Sequence, residues 1–157
     1  MRKPRPIVVI DTSVFISDAL SRTQAGAASQ VLAILPAVAT IIMCEGIREE
    51  LTEKLVERFG WTKRQVMDTY GPIFDTALWL VPVEEQPIHR KVVHGDPDDT
   101  MLPRAAEAVF TQATTLLERD QEKFIVTGNP RHLKPGTNYA GFLFVTPHGL
   151  LVKMQDW

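Results

Sequence analysis

Short unbroken apolar runs alternate along this chain with stretches in which apolar residues recur every three or four positions. The run PIVVI (6–10) is β-branched and continuous, as a strand covered on both faces requires. AASQVLAIL then has helical spacing and is expected to stop at Pro36. VATIIM (38–43) is a second buried strand. CEGIREELTEKLVERFG repeats Ile47, Leu51 and Leu55 at four-residue intervals, with Gly60 as the stop. Thr62 opens TKRQVMDTYGPIFDTALWL, a helix expected to break or kink near Gly71-Pro72. LVPV is a short strand candidate, and residues 84–97 have loop composition.

From Asp98 or Asp99 to about Arg119 the spacing predicts a long helix, with Leu102, Ala105, Ala106, Val109, Ala113 and Leu116 along its apolar stripe. Pro103 fits in its first turn. KFIVT (123–127) and GFLFVT (141–146) are further strands, and PHGLLVKM is a closing helix or terminal strand. Strands alternating with helices predict an α/β sandwich around a mainly parallel sheet. No repeat, low-complexity tract or linker divides the chain, so residues 1–157 are expected to form one domain. In such folds ligands gather at the carboxyl ends of the strands. That rule selects the polar residues to weigh.

Asp11 directly follows the first strand. Its position suits a turn or N-cap role as well as a functional one. A phosphatase-type nucleophile would want a second acid two residues on, where Ser13 stands, so that chemistry is disfavoured. Glu50 flanks the Ile47/Leu51/Leu55 stripe, whereas Glu49 and Val56 point away. The bland role for Glu50 is a surface pair with Lys54. Three carboxylates fall within HGDPDDTML (94–102). Asp99 lies three residues before Leu102, on the apolar face and at the positive end of its helix. Asp98 suits the cap, and Asp96 could reach the same place across the Pro97 turn. Carboxylates brought together raise one another's pKa unless a cation compensates. An all-oxygen set selects Mg²⁺ or Mn²⁺, and His89, His94, His132 and His148 show no zinc spacing.

Composition narrows the choice further. A net charge of −2 gives no global basic field, so nucleic-acid binding would need a local patch. Arg131, His132 and Lys134 are candidates, with a solvated loop as the alternative. Arg2, Lys3 and Arg5 could add charge, although a frayed terminus is commoner. The single cysteine, Cys44, excludes an internal disulfide, reads as a small buried thiol and suits the cytoplasm. The apolar run near the start is too short for a signal peptide, and none approaches a membrane span. Trp61, Phe74 and Trp79 could serve a partner surface or the core equally.

The succession VVIDTSVFIS, EELTEKL, DPDD, IVTGNPRHL and FVTPHGLL resembles the PIN-domain proteins (PilT N-terminus-like) over nearly the whole chain. The branch it looks closest to comprises toxin components of toxin–antitoxin systems. The resemblance implies an α/β/α sandwich and a VapC-like, Mg²⁺- or Mn²⁺-dependent endoribonuclease. An antitoxin partner and a homodimer are implied with it. Asp11, Glu50 and Asp99 fall on that family's metal-binding acids. Thr127 and Asn129 fall on its hydroxyl and fourth-acid positions, and Ser13 replaces the frequent Asn of the first motif. Asn129 keeps an oxygen ligand but lacks a charge, and Asp96 is the candidate substitute. The alternative expectation is a catalytically weak or inactive PIN module that binds RNA or a protein partner. The stretch from Asp99 to Thr127 is longer than usual for the family, which would extend the helix over residues 110–123.

Overall fold

A computed structural model of the chain describes residues 3–21, 23, 25–80, 121–128, 135–139 and 141–157. The expected long helix, with Asp96, Asp98 and Asp99, lies outside the described residues, as do Asn129, Arg131, His132 and Lys134.

The described elements run β1 (Ile7–Ile10), α1 (Thr12–Leu20), α2 (Ala27–Val38), β2 (Thr40–Cys44), α3 (Glu45–Phe59), α4 (Lys63–Thr76) and β3 (Leu78–Leu80). After the undescribed stretch come β4 (Lys123–Val126), β5 (Asn138–Tyr139), β6 (Phe142–Val145) and a last helix, α5 (Pro147–Met154). The strands form one sheet in the order β3-β2-β1-β4-β6-β5. Every neighbour pair is parallel except β5 with β6. The chain therefore has the α/β fold, with a mainly parallel central sheet, of an α/β/α sandwich.

β1 sits inside the sheet and explains its own composition. All four of its residues are fully buried, so neither face could carry a polar side chain without cost. Its register pairs Ile10 with Val126 of β4, and the Asp11 N–H donates to the Val126 carbonyl at 2.9 Å. The two residues that leave these strands, Asp11 and Thr127, are thereby forced side by side. Cys44 ends β2 as a buried thiol. Phe74 is buried, while Trp61 and Trp79 pack partly buried against the core. All three aromatics serve the interior.

Pro36 does not stop α2 and Pro72 does not break α4, each for a physical reason. α2 runs through Pro36 to Val38. Pro36 stands in the last turn, so its missing N–H costs one bond close to the helix end, and the Arg5 guanidinium separately caps the end by donating to the carbonyls of Pro36 and Ala39 at 3.0 and 3.3 Å. α4 likewise continues unbroken through Pro72, which lies with Asp68, the residue four before it, on the exposed side where water can take the freed carbonyl. Its start agrees with expectation, for Thr62 and Gln65 form a reciprocal capping box at 3.0 and 2.7 Å. Gly60 ends α3 in the left-handed conformation at φ 73°, as its position predicts. β2 begins two residues later than expected, and β3 lies at 78–80, ahead of most of LVPV. PHGLLVKM resolves to a helix.

Candidate active site

The site is built where β1 and β4 end. Asp11 occupies the N-cap position of α1, yet its side chain makes no capping bond. Its carboxylate instead collects hydroxyl groups. Ser13 Oγ donates to Oδ2 at 2.6 Å, and Thr127 Oγ1 donates to the same Oδ2 at 2.9 Å. Ser13 is itself held by the Gly128 N–H, which donates to its Oγ at 2.9 Å. Thr127 is wholly buried and Asp11 is 9% exposed, so these bonds form in a low-dielectric place where they hold the carboxylate firmly.

The other oxygen is treated differently. Among the described residues, Oδ1 meets only the hydroxyl of Thr12, at 3.4 Å. That hydroxyl also lies 3.3 Å from Glu50 Oε1 on α3, and its one proton cannot serve both acids fully. Glu50 stands at the edge of the buried face formed by Ile47, Leu51 and Leu55, as helix phase predicts. It also makes the predicted surface pair, with Lys54 Nζ 2.6 Å from Oε1. The structure thus brings Asp11, Ser13, Glu50 and Thr127 together. Thr12 was not singled out from sequence, because adjacency to Asp11 gives no clue that it also faces α3. The pairing of Ser13 with Gly128 had a faint signal, namely a short hydroxyl-bearing turn after each of two strands.

The basic N-terminus points elsewhere. Arg5 precedes β1 and braces the end of α2, so it stands at the opposite end of the sheet from Asp11. Lys3 pairs with Glu122 at 3.6 Å.

Among the described residues, no group of three or more His, Cys, Asp or Glu side chains is arranged to hold a metal ion. The donors that are described do suit a hard divalent cation in kind. They are carboxylate oxygens, with Asp11 Oδ2 fixed from behind and Oδ1 without a strong donor among the described residues. Two carboxylates are a partial set, and a further oxygen ligand would have to come from outside the described residues. Also among the described residues, no helix is long and apolar enough to cross a membrane.

The site is an acid at the end of a central parallel strand of an α/β protein, backed by one hydroxyl from α1 and one from the neighbouring strand end. The family model described as PIN domain matches residues 7–131, and the chain belongs to the PIN-domain family. No curated protein and no solved structure matches the chain significantly.

Proposed function

We propose that this chain is an RNA-binding PIN module with weak Mg²⁺- or Mn²⁺-dependent endoribonuclease activity. The observation that carries the reading is the contrast within the pocket. Asp11 is held with one oxygen open, while Glu50 is already neutralised by Lys54. The first feature suits a metal ligand, and the second, with no group of three or more His, Cys, Asp or Glu placed to hold a metal among the described residues, suits a weak one.

When bound, the metal would activate water and offset the charge of a phosphodiester under attack. Asp11 would hold it with Asp99, and Glu50 would take part directly or through water. Ser13 and Thr127 orient Asp11, while Asn129 would supply an uncharged oxygen, with Asp96 as the replacement acid. Arg131, His132 and Lys134, soon after β4, would meet the RNA backbone. A full-strength toxin of a type II toxin–antitoxin pair, acting as a cytoplasmic homodimer, is the stronger form of this reading. It is favoured by family membership and requires Asp99 to join Asp11.

The test is a Mn²⁺ titration with fluorescent single-stranded RNA, following binding and cleavage together. We expect binding with slow, metal-dependent cleavage that Asp11→Asn abolishes. Cleavage undiminished in Asp11→Asn, or neither binding nor cleavage at millimolar Mn²⁺, would sink the proposal.

A further inference from the structure

Lys54 lies one helical turn beyond Glu50 on α3. A Glu–Lys pair at this spacing is ordinary on a helix surface. Two observations set this one apart. The oxygen that Lys54 takes, Glu50 Oε1, is the same one that faces Thr12, whose hydroxyl also touches Asp11 Oδ1. And among the described residues, Lys54 is the only lysine or arginine bonded to either carboxylate. With its side chain 32% exposed, it is also less open to water than a free surface lysine.

We propose that Lys54 is the pocket's own counter-ion, neutralising Glu50 in the metal-free protein and competing with a divalent cation for it. The inference rests on the reading of the Asp11–Glu50 pocket as a Mg²⁺ or Mn²⁺ site. A dication arriving at Glu50 and the Lys54 ammonium repel each other across the same carboxylate. Metal entry therefore weakens the pair, whichever oxygen the metal takes, and part of the binding energy goes into offsetting that repulsion. Lys54 is in these terms a positioning residue, acting through Glu50.

The experiment is calorimetric titration of Mn²⁺ into the metal-free full chain, for wild type, Lys54→Met, Lys54→Arg and Asp11→Asn. Methionine keeps the length and apolar stem and removes the charge. Lys54→Met is expected to bind Mn²⁺ about three- to tenfold more tightly, the size of effect that one unit charge has in a partly screened site. Lys54→Arg should stay near wild type, and Asp11→Asn should lose binding. Binding by Lys54→Met where wild type shows none would support the proposal equally. Unchanged or weaker binding in Lys54→Met, with loss in Asp11→Asn, overturns the counter-ion and leaves the metal site standing. No binding by any variant overturns both. Thermal melts of each metal-free variant check folding, and Lys54→Gln serves in place of Lys54→Met should the latter fail to fold.

Discussion

Asp11 and Asp18 stand at opposite ends of α1, and each carboxylate accepts two strong hydroxyl bonds. The distribution differs. At Asp18 one donor goes to each oxygen, Ser29 Oγ to Oδ1 at 2.6 Å and Tyr70 Oη to Oδ2 at 2.7 Å. At Asp11 both go to Oδ2. Asp18 is consequently spent on tying α1 to α2 and α4, and nothing is left to offer a ligand. Asp11 is fixed just as firmly but keeps Oδ1 in hand. The surroundings agree: Tyr70 stacks on Trp61 with rings 3° from parallel and meets Phe15 edge-on at 5.1 Å. The comparison teaches that two acids with equal numbers of hydroxyl bonds differ in how those bonds are placed on the two oxygens, and so in what each leaves for a ligand.

The comparison can be broken at either end. Asp11→Asn removes the charge where one oxygen is free, so metal-dependent RNA cleavage should fall more than about a hundredfold, beyond the cost of losing a supporting bond. Circular dichroism should meanwhile show the fold intact. Thr127→Val deletes one of the two hydroxyls behind Oδ2, and cleavage should drop about ten- to a hundredfold, the usual cost of removing a group that orients a metal ligand. At the structural end, Tyr70→Phe strips Asp18 of a donor. Stability should decline by about 1–3 kcal/mol, read in urea melts, while the cleavage rate per folded molecule stays unchanged. The smallest effect concerns pH. Burial first, and then the bond and charge of Asp18, push the Tyr70 phenol far above its usual range. The unfolded chain ionises this tyrosine near pH 10 and the folded one does not, so protons are released on unfolding. Stability should fall as pH rises past about 10, by at most about 1.4 kcal/mol per pH unit, and Tyr70→Phe should flatten that decline.

Much of the sheet was legible because β1, β2, β4 and β6 are compact apolar runs whose composition admits few other structures. α3 was legible down to the orientation of Glu50 and the stop at Gly60. The prolines misled, since a proline in the last turn of a helix, as Pro36 is, or with its freed carbonyl on an exposed side, as at Pro72, loses one bond without ending the helix, and which side is exposed is a tertiary fact. β5 has two residues and leaves no periodic trace. Asp11 was legible as a residue that follows a buried strand, but that its side chain makes no cap bond and meets Thr127 instead had no local signal. The partnership of Asp18 with Tyr70 spans 52 residues and has no local signature at all.

The parallel pairing of β1 with β4 has a consequence in time. Asp11 and Thr127 are 116 residues apart. At about 5–20 residues per second, the usual pace of synthesis, Asp11 is joined to the chain roughly 6–23 s before the hydroxyl that orients it exists. Until then Oδ2 lacks its second donor and β1 lacks one neighbour. A nascent chain of this protein therefore carries Asp11 without that partner for most of its synthesis, and the pair can close only after residue 127 has been added.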